Sequence, residues 1–255
     1  MPELPIGHRL ILLSRRWGLA VSPLARSRRW VSRLFLGGLG TCTLDLGCGD
    51  GHYALAAARR GGRVLGVSND PRALERAAQL RDFCGLAPDQ VEFQCADLRA
   101  WQPAPDEQYD QILLLAVTEH LLDDAGLLRR VRPALKPDGL LFVSAPNRAC
   151  GLQEKRVHVA REETGRHVRH GYTFEQLEAL LARCGYEPVD RRGFGWFGTQ
   201  ATMRAEWALS LPSPVLVAVR VLGFLLWRLL TAVLDRVPVR EPYLLMVIAR
   251  KAAAP

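Results

Sequence analysis

Paired cysteines are missing from this sequence. Its cysteines are scattered, with no CxxC or CxxH arrangement; they are Cys42, Cys48, Cys84, Cys95, Cys150 and Cys184. The pattern predicts neither a zinc site nor a disulfide framework, and it is typical of proteins in a reducing cytosol. The amino end also lacks the order of basic, apolar and small residues that marks a signal peptide, because the apolar run LILL is short and Arg15 and Arg16 follow it after a single serine. We therefore expect a cytoplasmic protein.

Acidic residues are scarce in residues 1–40: this segment contains seven arginines and a single acidic residue, Glu3. Tryptophan, phenylalanine and leucine residues are interleaved with those arginines. Basic and aromatic residues mixed on short helices indicate a segment that lies on an anionic interface such as a membrane surface. A pair of helices packed over the next domain is the alternative. The net charge of +8 suits anionic partners in general, and an ordinary arginine-rich surface equally.

From residue 41 onward, strand-like and helix-like segments alternate. The predicted strands are CTLDL, RVLGVS, VEFQCAD, YDQILLLAV and LLFVSAP. The predicted helices are HYALAAARRG, PRALERAAQLRDFCG, a segment beginning at LLDDAGLL that ends in the turn KPDG, and a helix capped by Thr173 and closed by Gly185. Such alternation predicts an α/β fold with a parallel sheet and right-handed crossovers.

Residues 207–234 form a long apolar run that interrupts this pattern. On a helix, its Arg220 and Arg228 fall in one narrow polar sector. Each arginine would cost about 2.5–3.5 kcal/mol near a bilayer centre, which favours a helix lying in the membrane interface over one that spans the bilayer. A core or dimer helix stays open as an alternative. Because EPYLLMVIARK reads as a final strand, the run is predicted to be an apolar helical insertion before that strand.

A turn with three glycines, Gly47, Gly49 and Gly51, follows the first strand. Such a turn lets the backbone approach a ligand without Cβ collisions, and the amides that open the next helix point at that ligand. A dinucleotide site would instead have the spacing GxGxxG and an acid at the end of the second strand. This chain has His52 and Ser68 at those two positions, which disfavours a nicotinamide cofactor.

The segments LDLGCGDG, GVSND, CADL, YDQILLLAVTEHL and LKPDGLLFVSAPN resemble, in order and spacing, the class I S-adenosylmethionine-dependent methyltransferases. The branch that methylates ubiquinone precursors and other lipid-like small molecules is the most similar. The resemblance covers residues 41–190 and the last strand. It implies a Rossmann-like seven-stranded sheet with helices on both faces, and S-adenosylmethionine as cofactor. We expect four segments: a basic amphipathic segment at 1–40, the methyltransferase domain at 41–198, the apolar insertion at 199–240 and the final strand with its tail at 241–255.

The resemblance also implies roles for individual residues. The glycine turn would pass under the methionine part of the cofactor, supported by Asp45, while Asp97 would take the adenine amine. Family members usually hold the ribose with an acid where this chain has Ser68, which is followed by Asn69 and Asp70. The residues expected to bind the cofactor are Asp45, Gly47, Cys48, Gly49, Gly51, Ser68, Asn69, Asp97, Leu98 and Ala116.

Residues 116–120 follow the fourth strand, where the family places the donor methyl group and the acceptor. Glu119 and His120 are the candidate catalytic residues, since an imidazole such as that of His120 can take a proton from a hydroxyl; a structural role for His120 is the alternative. A second group, on the substrate side, consists of His158, His167, His170 and Tyr172. No metal is predicted, because these histidines lack accompanying cysteines or spaced carboxylates.

The predicted function is transfer of a methyl group to a hydrophobic, membrane-resident molecule: an isoprenoid, quinone precursor, sterol-like or phospholipid-like compound. The protein would sit peripherally or monotopically on anionic lipid at the inner face of the membrane. One alternative is a soluble acceptor or glycan intermediate, with the apolar helices forming a homodimer interface. Another is a membrane-associated binding protein that keeps the fold without catalysis. Nucleic acid is not an expected partner, because the arginines cluster beside apolar residues and no base-flipping motif is present.

Overall fold

The computed structural model describes residues 31–152, 157–209, 233–237 and 239–253. Seven strands and five helices lie wholly within these parts. The strands are β1 (Cys42–Leu46), β2 (Arg63–Ser68), β3 (Val91–Cys95), β4 (Tyr109–Leu115), β5 (Leu135–Pro146), β6 (Tyr186–Phe194) and β7 (Leu244–Lys251). The helices are α1 (His52–Ala58), α2 (Pro71–Phe83), α3 (Asp124–Val131), α4 (Phe174–Arg183) and α5 (Phe197–Leu209). Short 3-10 turns occupy Thr118–His120 and Arg148–Cys150.

The strands form one sheet in the order β3-β2-β1-β4-β5-β7-β6. Strands β1 to β5 pair in parallel, whereas β7 runs antiparallel to β5. The chain leaves β1 toward β2 and β3, and later returns to β1's other side with β4. The β1–β4 junction is therefore a topological switch point, where parallel α/β sheets bind their ligands. The predicted α/β class and seven-stranded sheet are confirmed.

Local sequence explains most of these elements. Strands β1 and β4 are almost entirely buried, as their uninterrupted apolar character predicts for strands covered on both faces. Helix α4 begins with the predicted cap, in which the hydroxyl of Thr173 accepts from the amide of Gln176 and the Gln176 side chain accepts from the Thr173 amide. Gly185, with φ of +81°, lies just beyond it.

The predicted turn at KPDG lies inside β5. Tyr109 pairs with Leu135, and the next register pair joins Gln111 to Leu140. Residues 136–139 are thus an irregular excursion that β4 does not match, after which the ladder resumes. Turn-forming residues can interrupt a strand as a bulge without ending it, which is why the prediction began this strand too late.

Residues just before β1 pack onto the sheet. Phe35 is buried and makes edge-on ring contacts with Tyr53 and Phe142, whose centroids lie 5.8 and 5.6 Å away. The buried Gln111 side chain fixes this segment: its amide nitrogen donates to the Leu36 carbonyl at 3.1 Å, and its oxygen accepts from the Leu36 amide at 2.8 Å. A buried amide satisfied in this way holds the segment in one position.

Contacts divide the chain into two compact units, one of 34–193 with 244–255 and the other of 1–33 with 194–243. In the second unit, Asp235 accepts hydrogen bonds from the amide and hydroxyl of Thr199 at 2.8 and 2.9 Å. Most of the predicted insertion at 199–240 and of the basic segment at 1–40 lies outside the described residues, so both stay predictions. None of the helices in the described parts has the length and apolar character needed to cross a bilayer.

Candidate active site

A cavity of about 260 Å³ opens at the switch point between β1 and β4. Residues that follow β1 to β4 form most of its wall, and the loop after β5 contributes the rest. The lining residues are Gly47, Gly49, Ser68, Asn69, Asp97, Leu98, Arg99, Ala116, Val117, His120, Leu121, Glu163 and Gly165. The structure thus brings together seven of the ten residues predicted to bind a cofactor, together with His120.

The glycine turn is tied to the sheet through its backbone. The amides of Gly47 and Cys48 both donate to the carbonyl of Val67, at 2.8 and 3.0 Å. Gly47 and Gly49 have φ values of +76° and +52°, a region that side-chain-bearing residues rarely adopt. A Cβ at Gly47 would lie 2.4 Å from Cγ2 of Val117, whereas one at Gly49 would meet nothing within 4 Å. Gly47 is therefore needed for packing, and Gly49 leaves space in the cavity wall.

Asp45 lies beneath the turn with its carboxyl group buried. It accepts from the amide of Ala54 in α1, but its Oδ2 atom has no partner among the described residues. Burial raises its pKa from 3.8 to about 7, because a carboxylate without full hydrogen bonding is poorly solvated there. Burial also raises the pKa of the neighbouring Cys48 thiol, so Cys48 is a packing residue rather than a nucleophile.

The end of β2 presents Ser68 and Asn69 to the cavity. The hydroxyl of Ser68 is buried and accepts from the Asp70 amide at 3.3 Å. The Asp70 carboxylate caps α2 instead, accepting from the amides of Arg72 and Ala73 at 3.0 and 3.2 Å. Asp70 is thus occupied as a helix cap, and the cavity meets the Ser68 hydroxyl where the resemblance leads us to expect an acid.

Asp97 forms an ion pair with Arg99 that was not predicted from the sequence. Its carboxylate accepts two hydrogen bonds from Nε of Arg99, at 2.8 and 3.0 Å, and one from Nη2. These bonds lower the pKa of Asp97. Arg99 also lies 3.8 Å from the carboxylate of Glu163, which itself accepts from the Leu122 amide. Arg99 therefore lies between the carboxylates of Asp97 and Glu163 and connects the segment after β3 to the loop after β5.

Three potential proton acceptors converge beside the cavity. Glu119, His120 and His167 each place one ligating atom within 4.8 Å of the others, and the two imidazole centroids are 4.6 Å apart, edge to face. Glu119 is buried, which raises its pKa from 4.5 to about 8, and its Oε2 has no partner in the described chain. Burial, then the charge of His120, lowers the pKa of His167. This set has the side chains needed for proton transfer or for binding a cation. No metal was predicted from the sequence, because the sequence does not reveal that Glu119 lies beside two of the histidines.

The other residues predicted on the substrate side lie apart from the cavity lining. His158 is exposed. His170 has a buried Nδ1 with no partner among the described residues. Tyr172 is buried, and its hydroxyl donates to the Thr118 carbonyl at 3.1 Å and to Asp124. Of this group, the structure brings only His167 against His120, because the backbone amide of Val168 donates to the Glu119 carbonyl at 2.8 Å.

Sequence reasoning missed five lining residues: Arg99, Val117, Leu121, Glu163 and Gly165. Arg99 and Val117 lie close in sequence to predicted residues, so wider windows around each strand end would have included them. Glu163 and Gly165 carry no motif. The fold alone returns their loop to the cavity.

One backbone feature marks the end of β4. Ala116 has a φ of +59°, the only positive φ outside glycine in the described residues, and it is exposed to the cavity. Such a conformation costs about 1–2 kcal/mol and persists where the surroundings enforce it, often at functional sites.

Comparison with known proteins gives consistent matches. The model of a methyltransferase domain family matches residues 22–191. Ubiquinone biosynthesis O-methyltransferase from Cereibacter sphaeroides is 32% identical over 157 residues, covering 59% of this chain and 62% of that protein. The chain thus spans less than two thirds of the length of this curated relative.

Solved structures resemble the fold. An S-adenosylmethionine dependent methyltransferase from Mesorhizobium loti matches with a TM-score of 0.59 and 21% identity, covering 90% of this chain and 98% of that one. The cyclase SpnF matches with a TM-score of 0.61 and 24% identity, covering 90% and 82%. At these identities the likeness concerns the fold.

Proposed function

We propose that this chain, which belongs to the methyltransferase domain family, transfers a methyl group from S-adenosylmethionine to a hydroxyl oxygen of a hydrophobic, membrane-resident small molecule. The predicted family and cofactor are confirmed by the family match and the relatives. The observation that carries the proposal is the switch-point cavity, whose lining contains both the glycine turn and His120; Glu119 and His167 lie beside His120, outside that lining.

The cradle fits the cofactor. Open space at the Cβ position of Gly49 leaves room for a ligand against the backbone. In the proposed arrangement the methionine part lies along the glycine turn, Ser68 and Asn69 hold the ribose, and Asp97 with Leu98 flank the adenine. When bound, the cofactor supplies an electrophilic methyl group on a positively charged sulfur.

We expect Ser68→Asp to tighten cofactor binding about tenfold. A carboxylate can accept hydrogen bonds from both ribose hydroxyls, whereas the serine hydroxyl already accepts from the Asp70 amide. The dissociation constant for S-adenosylhomocysteine, measured by calorimetry, checks this expectation. The matched control is Ser68→Asn, which has nearly the size of aspartate without its charge and should not tighten binding. Weaker binding by Ser68→Asp would show that this side chain does not face the ribose.

The acceptor side favours an oxygen nucleophile. Methyl transfer depends chiefly on proximity and alignment, and a base is needed where the nucleophile must lose a proton. His120 lines the cavity and is the proposed base, which would take the hydroxyl proton of the acceptor while the bound cofactor would supply the methyl group. The Oε2 of Glu119 and the Nδ1 of His167 are buried without a partner among the described residues, and of these three side chains His120 alone lines the cavity. A relative named as an O-methyltransferase supports this choice.

The membrane part of the proposal rests on the sequence and on the relative. The arginine- and aromatic-rich segment at 1–40 and the apolar run at 207–234 have the composition of interfacial helices. The ubiquinone named for the relative suggests a lipid-soluble acceptor. We accordingly propose a cytoplasmic enzyme bound peripherally or monotopically to anionic lipid.

Replacing Leu226 and Leu230 by aspartate should release the protein from vesicles. Two charges on the apolar face would each oppose insertion by about 2.5–3.5 kcal/mol. Co-sedimentation with vesicles that contain phosphatidylglycerol measures the bound fraction. Arg220→Gln combined with Arg228→Gln, on the polar sector of the same run, changes the net charge by the same two units and is the control for a change of charge alone. Pelleting of the leucine variant at the wild-type level would contradict the proposed anchor.

Label transfer tests the whole proposal. Purified protein is incubated with methyl-labelled S-adenosylmethionine and a total lipid extract of the source cells, and label is counted in the organic phase. A Gly49→Leu variant is the control. Label in a hydroxyl-bearing lipid is the expected result. Cofactor binding without lipid label would favour a soluble acceptor, and absence of both would favour a binding protein with this fold.

A further inference from the structure

The loop after β5 reaches the switch-point cavity as one short, closed turn. The amide of Ala160 donates to the carbonyl of His167 at 2.8 Å, which joins the two ends of this turn. We call residues 160–167 the flap. Glu163 and Gly165, near its tip, line the cavity. The flap is therefore part of the wall of the proposed cofactor site.

Apolar burial does not hold the tip of the flap. Residues 161–166 have the sequence REETGR, which contains no apolar side chain, and all of them except Glu163 are exposed. Burial of apolar surface is the main force that holds packed segments together. Because that force is missing here, the position of the tip depends on its polar contacts, and Glu163 is the residue to consider.

Glu163 contacts two separate segments of the cavity wall. Its Oε1 accepts a hydrogen bond from the amide of Leu122, in the segment that follows β4. Its Oε2 lies 3.8 Å from Nε of Arg99, in the segment that follows β3. One carboxylate therefore connects the segment that contains His120 to the segment that is proposed to flank the adenine.

The two contacts of Glu163 differ in strength. A hydrogen bond from an amide to a carboxylate is roughly twice as strong as one between neutral groups. The ion pair with Arg99 is long, and 54% of the Arg99 side chain is accessible to solvent, so it contributes less. Arg99 also donates two hydrogen bonds to Asp97. The bond to the Leu122 amide should therefore be the main anchor of the tip.

The base of the flap is fixed by other contacts. The amide of Val168 donates to the carbonyl of Glu119 at 2.8 Å. The guanidinium of Arg169 donates to the carbonyl of Leu121 at 2.7 Å. Loss of the Glu163 contacts should thus free the tip while the base of the flap stays in place.

We propose that Glu163 is a positioning residue that holds the flap closed over the bound cofactor and slows its release. This role rests on the proposed function, because it takes the switch-point cavity as the cofactor site. Glu163 acts through Leu122 and Arg99 and does not touch the reacting atoms. When the tip opens, the cavity loses the part of its wall formed by Glu163 and Gly165.

The release of S-adenosylhomocysteine from the full chain, followed by stopped-flow displacement, tests this role. Glu163→Ala removes both contacts and should release the ligand about tenfold faster. Glu163→Gln keeps an oxygen that can accept from the Leu122 amide and should release it only about threefold faster. Glu162→Gln is the matched control, because it makes the same change at an exposed neighbour. It should release the ligand at the wild-type rate.

Hydrogen exchange in the absence of cofactor measures the closed flap directly. The Leu122 amide should lose protection in Glu163→Ala and keep most of it in Glu163→Gln, while the Val168 amide stays protected in both. Unchanged exchange at Leu122 in Glu163→Ala would contradict the anchor. An equal loss of protection at Val168 would mean that the whole loop is destabilised, which would overturn the positioning role.

The release experiment separates this role from the proposed function. If the wild type binds S-adenosylhomocysteine and Glu163→Ala releases it at the wild-type rate, the role of Glu163 is wrong and the proposed function stands. Release by Glu162→Gln as fast as that by Glu163→Gln would mean a diffuse effect of charge and would also overturn the role. If the wild type does not bind S-adenosylhomocysteine, the proposed function and the role of Glu163 both fail.

Discussion

Gly49→Leu should abolish cofactor binding while the protein stays folded. The φ of Gly49 is +52°, and no described atom lies within 4 Å of the Cβ position, so the new side chain enters the cavity instead of clashing with the protein. Left-handed backbone costs a side-chain-bearing residue about 1–2 kcal/mol, too little to unfold a typical domain. We expect affinity for S-adenosylhomocysteine to fall by about 100-fold or more, as measured by calorimetry.

Substitutions at two other glycines distinguish a blocked binding site from a loss of stability. Gly85 has a φ of +69° and equally open surroundings but lies after α2, away from the cavity. Gly85→Leu should therefore show the same small loss of stability with unchanged affinity. Gly47→Ala places its Cβ 2.4 Å from Val117 and should lower the unfolding midpoint. If Gly49→Leu binds the cofactor as well as Gly85→Leu does, the turn has been assigned wrongly.

Glu119→Gln should stabilise the protein increasingly as the pH rises from about 5 to about 8. Burial raises the pKa of this carboxyl from 4.5 to about 8. Below pH 4.5 the group is protonated in the folded and unfolded states alike. Between the two pKa values the unfolded chain ionises and the folded chain does not, so stability is lost as the pH rises. Glutamine cannot ionise, and it removes this loss, which is on the order of 3–5 kcal/mol at pH 8.

Urea unfolding at several pH values measures the difference between wild type and variant. Glu187→Gln is the control: this glutamate is exposed on β6, and its hydrogen bond to Arg250 lowers its pKa. Its stability contribution is present at neutral pH and lost as the pH falls, so the control should change stability slightly and with the opposite sign. A pH-independent difference for Glu119→Gln would mean that Glu119 is ionised in the folded protein.

Sequence periodicity determined the sheet because its signals are local. Strands β1 and β2 were predicted with the bounds that the structure has, since buried strands flanked by glycine, proline or polar turns leave little alternative. The cap of α4 at Thr173 was equally local. The start of β5 was predicted too late because it depends on non-local pairing. Residues 136–139 have the composition of a turn, and the strand includes them because β4 pairs with Leu135 before them and with Leu140 after them.

The cofactor side of the cavity was predictable for a related reason. The carboxyl ends of parallel strands meet at one edge, so Gly47, Ser68, Asp97 and Ala116 had to lie near one another once the strand order was known. The seven-stranded sheet was implied by the resemblance, which five motifs in register carry, and the strand order came from the structure. Roles for these residues follow from their positions and await the measurements described above.

The acceptor side was decided by tertiary structure. Nothing in the spacing pairs His167 with His120, or brings Glu163 to Arg99, because the loop after β5 returns over the sheet by long-range contacts such as Val168 to Glu119. Burial likewise determines protonation: Glu119 and Glu187 are the same residue type, yet their pKa values shift in opposite directions. The sequence by itself determined the fold and the grouping of the strand-end residues around one cavity, since both depend on local periodicity and parallel strand ends. Only the folded chain decided which side chains meet and which stay charged, since contact and desolvation arise between segments distant in sequence.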